Sequence, residues 1–314
     1  MSMSFIFPGQ GSQFIGMGRE LADNYGEARA VFQEIDESLS QDLSKIMFEG
    51  SEDDLNLTEN TQPALMAVSM AVVRVLESQG IDIAQSCKFV AGHSLGEYSA
   101  LTAAGTFSIA DTARLLKLRG QSMQKAVPVG VGSMAAILGL EFEDVINIAK
   151  EAAGDDVCQG ANDNSVGQVV VSGSKAAVER AVALATEKGA KRAVILPVSA
   201  PFHCALMQPA ADAMAEALAE TTMNAPVVPV VSNVTAKAET DPDTIRNLLV
   251  DQVTGMVRWR ESVLWMGAQG VTEMVELGAG KVLSGLARRI DKEISCQSVG
   301  TPEQIEALIT KLKG

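Results

Sequence analysis

The sequence predicts an α/β fold in which a small ferredoxin-like domain is inserted into a larger α/β domain. Short apolar runs alternate with longer helical patterns, which is typical of α/β proteins. The 314 residues exceed the ~250–300 beyond which one hydrophobic core seldom grows, which favours two domains. The middle of the chain follows the order β-α-β-β-α-β, the order of a ferredoxin-like unit. We therefore assign residues 1–126 and 199–314 to the large domain and residues 127–198 to the small one.

The first part of the large domain is expected to contain two buried strands and a long helix. The apolar run 5–7 predicts the first strand, which ends in a glycine-rich turn. Residues 64–77 are apolar at helical spacing, and Pro63 is expected in the first turn of that helix, where a missing N–H is tolerated. The run 89–91 predicts the second buried strand, and a helix is expected to begin at Leu95.

The small domain is expected to supply four strands and two helices. Its strands are predicted at 134–138, 157–161, 168–171 and 193–196. The helices are predicted from apolar residues on one face, within 142–149 and 178–185, and the segment 162–167 is predicted to be a polar turn. Two further strands, at 226–231 and 272–277, are expected to return to the large domain.

The composition argues against several classes of protein. A net charge of −14 does not suit a nucleic-acid-binding protein, which needs a basic surface. The most apolar long stretch, 129–140, is shorter than the ~20 residues that cross a bilayer, and residues 1–4 lack the basic region of a signal peptide. Four scattered cysteines and two histidines argue against a metal cluster. We expect a reduced, cytoplasmic monomer that contacts neither nucleic acid nor membrane.

The most specific local signal is a GxSxG pentapeptide at residues 92–96, between a predicted strand and a predicted helix. In such a turn a side chain in place of either glycine would collide with the backbone, and the nucleophile, Ser94, is lifted into a cleft. The same turn directs the backbone N–H of Leu95 toward that cleft. The pattern also fits a glycine-flanked turn without chemistry, and alone it does not separate lipases, thioesterases and acyltransferases.

A serine nucleophile needs a base, and the chain contains two histidines. His93 is adjacent to Ser94, and neighbouring side chains in a tight turn point apart, so we expect it to be structural. His203 is the preferred base because it follows a proline-containing loop and precedes an apolar helix, whose N-terminus would keep the imidazole neutral. The alternative for His203 is a hydrogen-bonded core histidine. Since no acidic residue stands out as a third member, we predict a Ser94–His203 dyad, oriented by a backbone carbonyl near Gln252.

Several segments, in the same order along nearly the whole chain, resemble those of the malonyl-CoA:acyl carrier protein transacylases of fatty acid synthesis. These segments are 7–13, 61–64, 92–98, 119–124, 164–170, 201–207, 224–234 and 280–283. A series of this extent is far more specific than the pentapeptide alone. The resemblance implies a hydrolase-like α/β core that carries a ferredoxin-like insert, which agrees with the two domains assigned above.

The resemblance also implies residue roles that the chemistry supports. Gln10 resembles a glutamine whose backbone N–H joins that of Leu95 in an oxyanion hole, where each donor lowers the barrier by roughly 2.7–4 kcal/mol. Arg119 resembles the arginine that grips the free carboxylate of the malonyl group, through two parallel hydrogen bonds that a lysine cannot reproduce. Without the resemblance, Arg119 would be taken for one of several charges on a solvated helix face.

The same resemblance assigns a further group of residues to the substrate-binding site: Met123, Asn162, Asn164, Phe202 and Gln252. Phe202 stands where simple bacterial relatives often have a small residue. In related polyketide acyltransferases, phenylalanine at this place accompanies selection of malonyl over methylmalonyl groups. Ala279 departs from the Gly-Pro-Gly turn of many relatives, which should change the stiffness of the turn more than the chemistry.

The activity that the resemblance implies is transfer of a malonyl group from malonyl-CoA to the phosphopantetheine thiol of acyl carrier protein. The expected reaction is ping-pong through a malonyl-Ser94 intermediate, without a metal or redox cofactor. The alternatives are a discrete acyltransferase of a polyketide synthase, a serine thioesterase or other hydrolase, and a catalytically silent scaffold. An acidic carrier would need a local basic patch, for which the candidates are Lys188, Lys191 and Arg192, or Lys281, Arg288 and Arg289.

Overall fold

The computed structural model describes residues 2–314, which form two β-sheets with helices packed on them. The strands are β1 (Met3–Phe7), β2 (Phe89–Gly92), β3 (Gly132–Leu138), β4 (Cys158–Ser165), β5 (Gln168–Ser174), β6 (Arg192–Ile195), β7 (Val230–Val231), β8 (Ala238–Glu239), β9 (Glu273–Leu277) and β10 (Ser295–Val299).

The helices differ widely in length, and a short 3-10 helix (Ala205–Met207) precedes one of them. They are α1 (Arg19–Asn24), α2 (Gly26–Leu39), α3 (Leu43–Glu49), α4 (Glu52–Asn56), α5 (Thr58–Ser78), α6 (Ile83–Ser86), α7 (Leu95–Ala103), α8 (Ile109–Ala126), α9 (Phe142–Ala153), α10 (Lys175–Glu187), α11 (Gln208–Glu220), α12 (Pro242–Thr254), α13 (Trp259–Ala268), α14 (Val282–Ile290) and α15 (Pro302–Lys313). Within residues 2–314, none of the helices combines the length and apolar composition needed to cross a lipid bilayer.

The larger sheet is parallel except at one edge. Its strand order is β10-β9-β1-β2-β7-β8, and β8 runs antiparallel to β7. In β1, Phe5 and Phe7 pack into one hydrophobic cluster, while Ile6 packs into another on the opposite face of the sheet. All three side chains are fully buried, because helices cover both faces. This burial explains why the strand is a continuous apolar run and does not alternate with polar residues.

The smaller sheet is antiparallel and has the strand order β4-β5-β3-β6. Helices α9 and α10 pack against each other and against this sheet, and their apolar faces form a separate core around Ile137, Ile148 and Val178. The chain order β3-α9-β4-β5-α10-β6 is that of a ferredoxin-like unit. The α/β class and the ferredoxin-like order predicted from the sequence are therefore confirmed.

Two predicted boundaries near proline are wrong, for reasons that the structure shows. Helix α5 begins at Thr58, so that Pro63 lies in its second turn, where the proline ring removes the hydrogen bond to the carbonyl oxygen of Glu59. Strand β7 is shorter than predicted because the preceding segment contains Pro226 and Pro229, which have no N–H to donate to a neighbouring strand.

The predicted polar turn at 162–167 is also wrong, because β4 continues into it. This extension pairs with β5 on one side and, through an isolated parallel bridge between Asn162 and Val257, with the segment before α13 on the other. The N–H of Asp163 donates to the carbonyl oxygen of Val257 at 2.9 Å, and the buried Asp163 carboxylate forms an ion pair with Arg260. The polar residues of β4 thus join the small sheet to α13 and to the segment before it.

Candidate active site

The GxSxG segment forms a sharp turn between β2 and α7. Ser94 has φ of 53° and ψ of −112°, a backbone conformation that side-chain-bearing residues rarely adopt. A Cβ atom at Gly92 would lie 1.9 Å from the carbonyl oxygen of Gly96, and one at Gly96 would lie 2.3 Å from the carbonyl oxygen of Phe7. Neither position admits a side chain, so both glycines are required to bring the serine to the end of the parallel strands.

The Ser94 hydroxyl contacts the imidazole of His203. Ser94 Oγ lies 2.7 Å from Nε2 of His203, and Nδ1 of the same ring lies 2.8 Å from the carbonyl oxygen of Gln252 and 3.1 Å from that of Gly255. A carbonyl oxygen can only accept, so Nδ1 carries the proton and Nε2 is free to accept the proton of the serine. The two residues therefore have the geometry of a nucleophile and its general base, with backbone carbonyls where a triad has a carboxylate.

The position of His203 relative to the helices differs from the expectation. A 3-10 helix, not an α-helix, follows it, and its ring contacts the carbonyl end of α12. Gln252 belongs to the last turn of α12, where carbonyl groups have no donor within the helix, which leaves them available to Nδ1. The negative end of that helix dipole favours the imidazolium that forms when the ring accepts a proton.

The resting imidazole is neutral for a different reason. Burial, and after it the positive charge of Arg119, lower the pKa of His203 to about 3. The sequence predicted that a helix N-terminus would keep the imidazole neutral. In the structure, burial and the neighbouring Arg119 guanidinium keep it neutral instead. His203 is thus ready to accept a proton throughout the neutral pH range.

This pKa leads to a prediction about pH. The rate at which an uncharged fluorophosphonate reacts with Ser94 should show no loss from His203 protonation between about pH 8 and about pH 5, because the imidazole stays neutral there. Stopped-flow measurement of fluoride release checks this, and an inflection near the ordinary value of 6.5 would contradict it.

The free energy of unfolding that neutral His203 contributes should be lost as the pH falls from 6.5 toward 3, since only the unfolded chain then takes up the proton.

Arg119 is a buried cation beside the nucleophile. It lies on α8 with 1% of its surface exposed. Its guanidinium donates to Oε1 of Gln62 at 2.8 Å, to Oε1 of Gln252 at 2.9 Å and to Oγ of Ser94 at 3.2 Å. Within residues 2–314 these side-chain acceptors are all neutral, and the buried Nε has no acceptor. A buried charge without a directly contacting carboxylate is costly, so the arrangement suits an anionic ligand.

A network of amides holds the turn in place, and its main member, Asn233, is not among the residues predicted for the site. Asn233 accepts from the N–H of Ser94 at 2.7 Å and donates to the carbonyl oxygen of Gly92 at 2.7 Å. Gln252 donates to the carbonyl oxygen of Ser94 at 3.0 Å and to the buried carboxylate of Glu97 at 2.7 Å. Asn233 falls within a segment that carries the family resemblance, but nothing in its local pattern indicates a contact with the serine turn.

The site opens into a cavity that is lined by residues of the small sheet and by residues around the serine turn. Among the residues predicted for the site, its lining contains Gln10, Ser94, Leu95, Arg119, Met123, Asn162, Phe202 and His203. The lining also contains residues that were not predicted for the site, namely Gln62, Met134, Leu196 and Val198, together with His93. Leu95 is the first residue of α7, so its N–H has no acceptor within the helix and is available to a ligand.

Two predicted substrate-binding residues lie behind the cavity wall. Gln252 is fully buried and reaches the cavity through three residues of its lining: its side chain contacts Arg119 and Ser94, and its carbonyl oxygen accepts from His203. Asn164 contacts His93, whose Nε2 lies 2.8 Å from its Oδ1. The other face of the His93 ring packs against Trp259, with the ring centroids 5.8 Å apart. Both residues therefore support the lining of the cavity and do not form it.

Residues 2–314 contain no group of three or more histidine, cysteine, aspartate and glutamate side chains placed to hold a metal ion. The reactive groups of the site are the hydroxyl of Ser94, the imidazole of His203 and the guanidinium of Arg119. This set can form and break an ester at Ser94 while binding an acyl group that ends in a carboxylate.

The chain matches known acyltransferases over nearly its whole length. Residues 4–311 match the family model described as acyl transferase domain. The malonyl CoA-acyl carrier protein transacylase of Escherichia coli (strain K12) is 47% identical over 306 residues, which cover 98% of this chain and 98% of that protein.

Solved structures agree with these matches. The acyl-carrier-protein-S-malonyltransferase from Bartonella henselae has a TM-score of 0.98 at 58% identity and covers 100% of both chains. A malonyl-transacylase in complex with its type II PKS acyl-carrier protein has a TM-score of 0.96 at 42% identity, covering 99% of this chain and 100% of that one. The resemblance found in the sequence is confirmed: the chain belongs to the malonyl CoA-acyl carrier protein transacylases, within the acyl transferase domain family.

Proposed function

We propose that this chain transfers a malonyl group from malonyl-CoA to the phosphopantetheine thiol of acyl carrier protein through a malonyl-Ser94 intermediate. The observation that carries the proposal is the buried Arg119 guanidinium, which lies 3.2 Å from the Ser94 hydroxyl and contacts neutral side chains within residues 2–314. In a malonyl thioester one methylene group separates the reacting carbonyl from the free carboxylate. A nucleophile and a cation placed side by side can therefore engage both ends of the group at once.

The first half-reaction follows from the contacts around Ser94. Nε2 of His203 takes the hydroxyl proton as Oγ bonds to the thioester carbon, and the backbone N–H groups of Gln10 and Leu95 receive the negative oxygen. The carbon–sulfur bond then breaks, and coenzyme A leaves as the thiol with the proton from His203. The product is a malonyl ester on Ser94.

The second half-reaction is the reverse with a different thiol. The phosphopantetheine thiol of the carrier gives its proton to His203 and attacks the ester carbon, and Ser94 regains its hydroxyl proton as it leaves. Arg119 holds the malonyl carboxylate in both halves. The chain itself supplies no prosthetic group to this scheme, because the phosphopantetheine belongs to the carrier and malonyl-CoA is a substrate.

Donor selection follows from the buried charge. A malonyl group pairs its carboxylate with Arg119, whereas an acetyl group leaves the guanidinium buried and unpaired. Phe202, Met123 and Asn162 line the same cavity and are assigned to contact the acyl group or its pantetheine arm. Gln252 and Asn164 are assigned to support this lining, through Arg119 and His93 respectively.

We further propose the setting in which the enzyme acts. Residues 127–198 form a distinct domain that supplies one wall of the cavity, while residues 1–126 and 199–314 form the catalytic domain. The chain works as a cytoplasmic monomer, and neither nucleic acid nor membrane is a partner, in keeping with its net charge of −14.

A serine hydrolase would share Ser94 and His203 and would release malonate to water. We predict that malonyl-Ser94, once formed, passes most of its malonyl group to holo-acyl carrier protein and releases little malonate, since Arg119 holds the group against the thiol. The measurement is a chase of isolated malonyl-enzyme with holo-carrier, in which labelled malonate and malonyl-carrier are counted. Release of free malonate with an unmodified carrier would favour a thioesterase.

The carrier could serve fatty acid or polyketide synthesis. A related malonyl-transacylase has been solved in complex with a type II PKS carrier, so a polyketide carrier is tested as the alternative. Running the chase with one holo-carrier of each class, at equal concentrations, distinguishes the two. A higher transfer rate to the fatty acid carrier is the expected result.

A further inference from the structure

Glu97 is a buried carboxylate that the proposed mechanism does not use. It lies on α7, three residues after the nucleophile, with 2% of its surface exposed. One of its oxygens, Oε2, accepts from Nε2 of Gln252 at 2.7 Å and from the backbone N–H of Asn233 at 3.1 Å. The pKa of Glu97 is raised to about 7, because burial outweighs these two hydrogen bonds and the charge of Arg119, which act to lower it. An ionised carboxylate is rarely buried without a specific role.

The Gln252 amide connects this carboxylate to the cation. Its Nε2 faces Glu97, and its Oε1 accepts from Nη2 of Arg119 at 2.9 Å. At pH 8, above its pKa of about 7, Glu97 is ionised and can only accept hydrogen bonds, so it selects the NH₂ end of the amide and turns the carbonyl oxygen toward the guanidinium. If the amide turned over, its NH₂ group would face Nη2, and two donors would oppose each other.

We propose that Glu97 is a positioning residue for malonyl recognition: through the Gln252 amide it holds the Arg119 guanidinium where the substrate carboxylate arrives. The inference rests on the proposed function, because it concerns the site that grips the malonyl group. The acceptor oxygen of Glu97, and not its negative charge, is the property that positions the guanidinium through Gln252. This connection also explains why a buried acid accompanies a buried arginine without touching it.

The test compares two substitutions that differ in one property. Glu97→Met keeps a side chain of similar length but removes the acceptor, whereas Glu97→Gln keeps an oxygen that can accept from Gln252 and Asn233. Ser94 acylation is measured at about pH 8 with malonyl-CoA and with acetyl-CoA, and an uncharged fluorophosphonate reports on the Ser94–His203 pair alone. Glu97→Met should lower the malonyl-to-acetyl ratio of kcat/KM by about tenfold or more, as for one lost hydrogen bond to a charged group.

Glu97→Gln should restore the ratio to within a few-fold of wild type, and the fluorophosphonate rate should change little in either variant. Glu276→Met is the matched control, because Glu276 is also a buried glutamate but accepts from the N–H groups of Leu283 and Ser284. It should lower the melting temperature without changing the donor ratio. If Glu97→Met does not fold, Gln252→Met interrupts the same connection and should also lower the malonyl-to-acetyl ratio, on top of a loss common to both donors because its bond to the Ser94 carbonyl oxygen is removed as well.

Several results would overturn the inference. An unchanged donor ratio in Glu97→Met or Gln252→Met would show that the connection does not position Arg119. Equal losses in Glu97→Gln and Glu97→Met would assign the effect to charge, and equal losses with both donors and the fluorophosphonate would assign it to general structure. Failure of the wild-type enzyme to acquire a malonyl group would instead refute the proposed function, so the two failures are distinguishable.

Discussion

Replacing His203 by alanine is expected to slow acylation of Ser94 by ~10²–10⁴-fold, the usual contribution of a positioned general base. Nε2 of His203 lies 2.7 Å from Ser94 Oγ, and its Nδ1 proton is fixed by the carbonyl oxygens of Gln252 and Gly255. The other group that contacts Oγ, the Arg119 guanidinium, cannot accept a proton. The measurement is a rapid-quench time course of malonyl-enzyme formation, read by intact-protein mass spectrometry.

A second substitution at this position separates the base from its packing role. His203→Gln retains a polar side chain of similar size, yet it accepts no proton at neutral pH. Both variants should lose activity to a similar extent, and the melting temperature of His203→Gln should stay near that of wild type. Acylation by His203→Gln at the wild-type rate would show that His203 is not the base.

Replacing Arg119 by alanine is expected to lower kcat/KM for malonyl-CoA by about 10²-fold or more, which is the scale for truncating one partner of a buried charge pair. The loss with acetyl-CoA should be far smaller, since an acetyl group has no carboxylate to pair with the guanidinium. Arg119 is 1% exposed and donates to Ser94 Oγ, so it meets only a group already in the cavity. Single-turnover acylation of Ser94 with each donor measures both effects.

Two further variants control for charge and for shape. Arg114→Ala removes a positive charge from the same helix, where Arg114 forms an exposed ion pair with Asp111, and it should leave the donor preference unchanged. Arg119→Lys keeps the charge but not the planar fork, and its malonyl activity should fall between those of alanine and wild type. Equal losses with malonyl-CoA and acetyl-CoA in Arg119→Ala would contradict the assigned role.

Periodicity predicted the fold where each element has a regular apolar pattern. The run 5–7 and the β-α-β-β-α-β order of the middle of the chain were sufficient for the class and for the ferredoxin-like unit. Patterns failed where a tertiary contact overrides a local preference. Polar residues of β4 were taken for a turn because the sequence does not reveal that Val257 pairs with Asn162. Pro63 was predicted in the first turn of its helix. The sequence does not show that α5 begins earlier, at Thr58, and accommodates the proline in its second turn.

That Ser94 and His203 would lie together could be predicted from residue types, because one GxSxG turn and two histidines leave few combinations. Arg119 could not, since its burial is a property of the packed structure and its sequence neighbours include exposed charges. The supporting amides, Asn233 and Gln62, come from distant segments and carry no local signal. The family resemblance indicated Arg119, whereas the contacts of Asn233 and Gln62 are visible only in the folded structure.

The proposed mechanism requires that Ser94 carries the malonyl group. The most direct measurement is intact-protein mass spectrometry after brief incubation with malonyl-CoA, with Ser94→Ala in parallel. We expect the wild-type enzyme to gain the mass of one malonyl group and Ser94→Ala to gain none, because His203 and Arg119 then have no nucleophile to act on. A malonyl-sized gain on Ser94→Ala, or no gain on the wild-type enzyme, would contradict the mechanism.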